Sequence, residues 1–359
     1  MPARTVPLPV RGHDLDAPSR ILIVDDSAVA RAVIERAIAD TRQFIVTGAV
    51  SNAAAALAFL ARSRVDAIVL DIEMPGITGL AALPDLMAAG QGAKVLVVSS
   101  AARDGAAATI EALALGAADT LVKPEAGGFA GPFSCALIEK LTRLLAREAP
   151  VELAPLHRIA TADSPTAQGF DIVAIGASTG GIHALSLVLR ELPPSFPLPI
   201  LITQHLPASF MRYFAAQIAV MANRPCDVAT DSMRIRPGRV VVAPGDAHLR
   251  VVSTGDGAAI RLSRDSAGSG CLPSVDPMFD SLADVYGARA LGIVLSGMGR
   301  DGSVGAKRLV ARGGAVLVQD QASSVVWGMP GAIASAGIAS AVLTPREIGQ
   351  CVAARRRPA

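Results

Sequence analysis

The sequence predicts an α/β protein built from two domains, each a doubly wound parallel sheet. Its 359 residues suffice for two separate cores. Hydrophobic residues make up 51% of the chain but aromatics only 3%, a balance suited to layers packed from small aliphatic side chains. Short apolar runs alternate with helix-periodic stretches, and the pattern restarts in the second half of the chain.

Residues 1–19 carry Pro, Gly and charge without periodicity and read as a leader; they lack the apolar stretch of a secretory signal. The first strand is expected at Ile21–Val24. Ala30, Val33, Ile34, Ala37 and Ile38 then follow at helical spacing. Further strands are expected at Phe44–Val50, Ala67–Leu70, Val95–Val98 and Thr120–Val122, with helices such as Ala53–Ala61 and Thr109–Leu115 between them. Leu137–Leu145 reads as a helix closing the first domain. The second pattern opens at Asp171–Ile175 and continues with strands at Ile200–Thr203, Arg239–Ala243, Leu291–Leu295 and Ala315–Val318. The resulting division is a first domain over 20–140, a linker over 141–168 and a second domain over 169–353.

A formal net charge of +2 points to neither nucleic acid nor an anionic membrane as a partner. The basic cluster Arg355–Arg357 reads as a solvated tail. No run of 18 apolar residues is present to insert in a bilayer. Cys135, Cys226, Cys271 and Cys351 form no CxxC pair and read as reduced thiols, so a cytoplasmic protein is expected.

In parallel sheets functional groups gather where strands end. In the first domain Asp25, Asp26, Asp71, Ser99 and Lys123 all fall at such ends. Neighbouring carboxylates repel, and a hard divalent cation such as Mg²⁺ relieves the repulsion through oxygen ligands. A carboxylate held there can attack a phosphoryl donor, and a lysine and a hydroxyl suit the resulting oxygens. The plain alternative is acidic punctuation of loops.

Val24-Asp25-Asp26-Ser27, Leu70-Asp71-Ile72-Glu73-Met74-Pro75-Gly76, Ser99-Ser100 and Gly116–Asp119 with Lys123-Pro124 resemble the receiver domain of two-component response regulators. The resemblance covers about residues 20–140 and implies a flavodoxin-like fold. It further implies phosphorylation at Asp71 by a sensor histidine kinase, and Mg²⁺ on Asp25, Asp26, Asp71 and the Glu73 carbonyl. Ser99 and Lys123 are implied to respond to the phosphoryl group. Where many receivers carry an aromatic switch residue, this chain has Thr120.

In the second domain a strand runs into Gly176-Ala177-Ser178-Thr179-Gly180-Gly181, and Leu185, Val188, Leu189 and Leu192 then mark a helix. Such a turn can present a serine hydroxyl, and the helix N-terminus favours an oxyanion. Alone, the motif fits a phosphate-binding loop or a plain turn equally well. His205 and Asp301, also just after strands, add the logic of a triad: Ser178 attacks a carbonyl carbon, His205 takes its proton and Asp301 orients the imidazole. The order Ser…His…Asp disfavours an ordinary α/β-hydrolase. His248 ranks second as the base; His183 falls in the helix's first turn and could crowd the site, and His13 and His157 lie in the leader and linker. Arg300 suits either a surface charge or an anionic substrate, while Trp327 and Met329 read as packing residues.

Ile175–Gly181, Gln204–Phe210, Val242–Gly245, Pro273–Phe279, Ser296–Gly302 and Gln319–Pro330 together resemble the catalytic domain of the chemotaxis protein-glutamate methylesterases. The resemblance implies a Rossmann-like esterase domain needing no cofactor. It also implies hydrolysis of glutamate γ-methyl esters on methyl-accepting chemoreceptors, with methanol released, and deamidation of selected receptor glutamines. Ser178 becomes nucleophile, His205 base and Asp301 its partner, with the main-chain N–H groups of Thr179 and Met298 as oxyanion donors. Ile182-His183 and Cys271-Leu272 depart from the pairs common at those positions. In this family the unphosphorylated receiver covers the cleft. The competing readings are a regulator whose second domain binds without catalysis and a hydrolase acting on another ester.

Overall fold

Strands buried on both faces require an apolar residue at nearly every position, and the runs found in the sequence meet that demand. The computed structural model describes residues 17–99, 103–123, 131–146 and 169–354. His13, Ser100, Pro124, His157 and Arg355–Arg357, with most of the leader and linker, lie outside the described residues.

The first unit has five parallel strands, β1 (Ser19–Val24), β2 (Phe44–Val50), β3 (Ala67–Asp71), β4 (Lys94–Ser99) and β5 (Asp119–Val122), in the order β2-β1-β3-β4-β5. Helices α1 (Ala28–Ala39) and α5 (Pro132–Leu145) cover one face, where Ile34, Ile38, Leu137 and Leu141 pack on Ile21, Ile23, Val69 and Leu96. Helices α2 (Ala53–Leu60), α3 (Gly79–Gly90) and α4 (Arg103–Leu115) cover the other. The side chains of Ser27, Asn52 and Thr78 accept from main-chain N–H groups in the first turns of α1, α2 and α3.

The second unit begins with β6 (Ile172–Ala177), α6 (Gly181–Arg190), β7 (Ile200–Gln204) and α7 (Ala208–Ala222). After them come β8 (Cys226–Val228), β9 (Val240–Val242), β10 (His248–Thr254), β11 (Gly257–Ser263) and α8 (Val275–Val285). It closes with β12 (Ala290–Val294), α9 (Ser303–Ala311), β13 (Ala315–Gln319), α10 (Gly328–Ser335), β14 (Ala341–Leu343) and α11 (Pro345–Ala353). Seven strands form one parallel sheet in the order β14-β13-β12-β6-β7-β9-β8. The expected strands are all present. Beyond them the structure adds the short edge strands β8 and β14, and an antiparallel hairpin, β10–β11, outside the main sheet.

The units meet through α4, which packs against α6 and α7. Among the described residues three polar contacts cross this seam. The Gly180 N–H donates to the Ala118 carbonyl at 2.9 Å, His183 Nδ1 lies 3.1 Å from the Ala114 carbonyl, and the Thr179 hydroxyl lies 3.5 Å from Asp119 Oδ2. His183 is thus turned toward the first unit.

Candidate active site

In the first unit, β1 and β3 deliver Asp25 and Asp71, both buried, to one spot at their C-terminal ends. Asp25, Asp26 and Asp71 offer carboxylate oxygens that all lie within 4.8 Å of one another. Lys123 at the end of β5 reaches both buried carboxylates, 2.7 Å from Asp71 Oδ2 and 3.0 Å from Asp25 Oδ2. Neither of those two oxygens finds a hydrogen bond of good geometry; Lys123 meets them as a point charge. Oxygens buried in this way fit a hard cation. The other Asp71 oxygen accepts from the Glu73 N–H at 3.1 Å, and the other Asp25 oxygen from the Ser27 N–H at 2.9 Å. Burial lifts Asp71 above the usual carboxylate range; Lys123 pulls against this, and the nearby Asp25 charge adds to it. Burial alone would lower Lys123, but its two carboxylates outweigh that and hold it charged.

Ser99, at the end of β4, lies 2.7 Å from the Thr109 hydroxyl, which itself donates to the Gly105 carbonyl at 2.6 Å. Ser99 is therefore the donor in the first contact. Thr120 keeps a buried hydroxyl oxygen without a partner among the described residues.

In the second unit three adjacent strands, β12-β6-β7, bring Asp301, Ser178 and His205 to the same edge of the sheet. Ser178 leaves β6 with its N–H bonded to the Ser296 carbonyl at 3.0 Å, and its own carbonyl accepts from Gln204 Nε2 at 2.9 Å. The turn needs glycine at 180, where φ is +74° and a Cβ would lie 2.4 Å from Val325 Cβ. His205 follows β7, its N–H held by the Ala177 carbonyl at 3.1 Å. Its ring Nε2 lies 2.8 Å from Asp301 Oδ2, which leaves Nδ1 as the atom able to face the serine.

Asp301 is 1% exposed and seated on the N-terminus of α8. The Val275 N–H donates to Oδ2 at 2.7 Å, while the Ser274 hydroxyl and the Gly302 N–H reach Oδ1 at 2.6 and 3.0 Å. Ser274 is the N-cap of α8, yet its hydroxyl donates to Asp301 instead of accepting from its own helix. The helix dipole and these donors favour the negative charge. Burial would raise the Asp301 carboxyl, but the bonds from His205, Ser274 and Val275 bring it down to about 2. Burial likewise pulls His205 down, but the bond to Asp301, reinforced by Cys271, lifts it to about 9.

Ser178, His205, Thr179 and Met298 line one cavity of about 410 Å³. Its far wall belongs to the first unit: Leu113, Ala117, Ala118, Asp119 and Lys140. Within the described residues, Ser178 Oγ makes no hydrogen bond to His205, and the N–H groups of Thr179 and Met298 have no protein acceptor. His248 is held elsewhere: its Nδ1 accepts from the Ser274 N–H at 2.9 Å, and its Nε2 donates to the Asp265 carbonyl at 2.8 Å. It is a scaffold for the α8 cap and no rival to His205. Trp327 packs with its Nε1 donating to the Gln319 carbonyl at 2.8 Å. Sequence reasoning assigned no role to Ser274, Gln204 or Cys271. Pro273-Ser274-Val275-Asp276, a capping pattern just ahead of an apolar helix, was the available signal for an anion seat.

Fold and site together define a receiver joined to an α/β ester hydrolase. The CheB methylesterase family matches residues 173–352 and the response regulator receiver domain matches residues 21–128. The chain is 42% identical over 344 residues to the protein-glutamate methylesterase/protein-glutamine glutaminase 2 of Caulobacter vibrioides, covering 94% of this chain and 99% of that one. It is 39% identical over 381 residues to protein-glutamate methylesterase/protein-glutamine glutaminase 1 of Paramagnetospirillum magneticum, covering 95% and 100%. The solved catalytic domain of Thermotoga maritima CheB methylesterase aligns at a TM-score of 0.50 and 32% identity, over 52% of this chain and 99% of that one. The chain belongs to the CheB methylesterase family.

Proposed function

We propose that the protein is a phosphorylation-activated protein-glutamate methylesterase and protein-glutamine glutaminase acting in chemotaxis adaptation. The convergence of Ser178, His205 and Asp301 on three adjacent strand ends, with Ser178 and His205 lining a cavity whose far wall is the receiver, carries this reading. The working division is a receiver over 20–140, a linker over 141–168 and an esterase domain over 169–353.

Ser178 Oγ attacks the γ-ester or γ-amide carbonyl of the substrate, and His205 Nδ1 takes its proton. Asp301, fixed by the α8 N-terminus, holds the ring and stabilises the imidazolium. The developing oxyanion is met by the main-chain N–H groups of Thr179 and Met298. Methanol or ammonia leaves with the proton from His205, and water then cleaves the acyl-serine by the reverse relay. Ester and primary amide pass through the same kind of tetrahedral intermediate, so one site serves both.

In the receiver, Asp71 is the phosphoryl acceptor and a chemotaxis-type histidine kinase the donor. Asp25, Asp26 and Asp71, with the Glu73 carbonyl, would hold Mg²⁺, which supplies charge neutralisation for phosphoryl transfer. Lys123 and Ser99 meet the new oxygens. Methyl-accepting chemoreceptors are the substrate, reached from the cytoplasm. The four cysteines are not joined in disulfides, and among the described residues no helix is long and apolar enough to cross a membrane. The receiver blocks the cleft until phosphorylation at Asp71 rearranges its face toward α6 and α7.

The test measures methanol released from methyl-labelled receptor membranes, with and without a small phosphodonor and Mg²⁺. Release that stops in Ser178→Ala and loses its phosphodonor response in Asp71→Ala supports both sites. A folded protein that releases none, even after residues 1–165 are deleted, overturns the reading.

A further inference from the structure

The thiol of Cys271, on the segment between β11 and α8, opens into the same cavity as His205. Cys271 Sγ, a ring nitrogen of His205 and an Asp301 oxygen all lie within 4.8 Å of one another. Zinc bonds of about 2.0–2.3 Å require tetrahedral donors about 3.3–3.7 Å apart, so small side-chain adjustments bring these three to an ion. Seating it replaces the 2.8 Å His205–Asp301 hydrogen bond and widens that contact by about half an ångström.

The donor types select the metal. One imidazole, one thiolate and one carboxylate suit zinc and its neighbours, whereas the receiver cluster, Asp25, Asp26 and Asp71, offers only hard oxygens. Three protein ligands, two of them lining a cavity from which a further ligand can enter, match the pattern of an open zinc site. An outer shell is also present, since Ser274 Oγ fixes the Asp301 carboxylate at 2.6 Å.

We propose that His205, Cys271 and Asp301 form a binding site for a zinc-class divalent ion, and that the ion inhibits the esterase by occupying its imidazole. The binding half stands on the geometry alone; the inhibitory half rests on His205 being the base.

The full-length protein, freed of metal with a chelator, is titrated with Co²⁺ in excess Mg²⁺. A thiolate-to-cobalt charge-transfer band with tetrahedral d–d bands is expected, retained in Cys226→Ser and lost in Cys271→Ser. Ser274→Ala is expected to weaken Co²⁺ by about 10–100-fold. Should Cys271→Ser fold poorly, the unaltered protein supplies a second readout: Zn²⁺ should shield Cys271 from alkylation, mapped by mass spectrometry. Absence of the band together with absence of shielding overturns the site. Added Zn²⁺ should suppress methanol release in the unaltered protein and leave the residual rate of Cys271→Ser at least tenfold less sensitive. Cobalt binding without suppression overturns the inhibitory half. A metal-free protein that shows the cobalt bands but never releases methanol overturns the esterase reading and leaves the metal site standing.

Discussion

Ser274 and Asp301, 27 residues apart in sequence, are joined by a 2.6 Å hydrogen bond in which the cap residue of one helix serves a carboxylate from another segment. The helix thereby gives its N-terminal field, and its cap, to the group that orients His205. Ser274→Ala should destabilise the fold by about 1.5–3 kcal/mol, the range for a hydrogen bond to a charged partner. Denaturant unfolding measures this, and the same variant should lose ester hydrolysis while keeping Asp71 phosphorylation.

A base must be neutral to accept a proton, and His205, the proposed base, is lifted to about 9 by Asp301. Hydrolysis by the unphosphorylated protein should therefore rise as pH increases toward 9. Asp301→Asn removes the main lift on the imidazole, so its titration should move down while kcat falls on the order of 10⁴-fold. Proton NMR of the His205 ring and a pH–rate profile check both halves.

The pair also contributes to stability with a definite sign. The folded pKa of His205 exceeds its ordinary 6.5, so its contribution is complete below pH 6.5 and is lost as pH rises through about 9. Asp301 is depressed, so its share is complete above pH 3.8 and is lost as pH falls through about 2. Unfolding free energies measured across pH, compared with those of Asp301→Asn, should show both slopes flattened in the variant.

Gly180→Ala and Gly299→Ala form a matched pair. Both positions have positive φ, +74° and +82°, but only at 180 would the new methyl strike a neighbour, Val325. Gly299→Ala should cost about 1–3 kcal/mol from backbone strain alone. Gly180→Ala should cost more and displace Ser178, abolishing hydrolysis. Thermal unfolding and activity assays separate the two.

Lys123→Ala leaves Asp25 and Asp71 facing each other without a cation. The receiver should lose on the order of 3–5 kcal/mol, the scale for breaking a buried ion pair. If the three carboxylates hold Mg²⁺, millimolar Mg²⁺ should restore part of that loss. Unfolding with and without Mg²⁺ gives the answer.

Much of this arrangement was legible because both sheets are parallel. Asp25, Asp71, Ser99 and Lys123, like Ser178, His205 and Asp301, follow apolar runs, and parallel topology sends every such end to one edge. The hairpin β10–β11 was harder to read, since its strands keep no clean alternation (β11 buries Ala258, Ala259 and Ile260 in a row) and lie outside the main sheet. Its two-residue turn, Gly255-Asp256 ahead of Gly257, was a usable signal. Strands β8 and β14, three residues each, are too short for a period to register. Ser274 and Cys271 acquire meaning only from residues distant in sequence, which no local pattern records.

The main-chain N–H of Gly180, in the turn that carries Ser178, is engaged by the carbonyl of Ala118. A single neutral bond of this kind is worth about 1 kcal/mol; it adds to the packing of α4 on α6 and α7, and the covalent link between the units adds to both. Covalent linkage raises the effective concentration of one unit beside the other. A receiver supplied as a separate polypeptide should therefore restrain the isolated esterase domain less than the linked receiver does, however complete its fold. On the proposed reading restraint belongs to the connection as well as to the contact, so cutting the chain between the units should release part of the activity that phosphorylation releases.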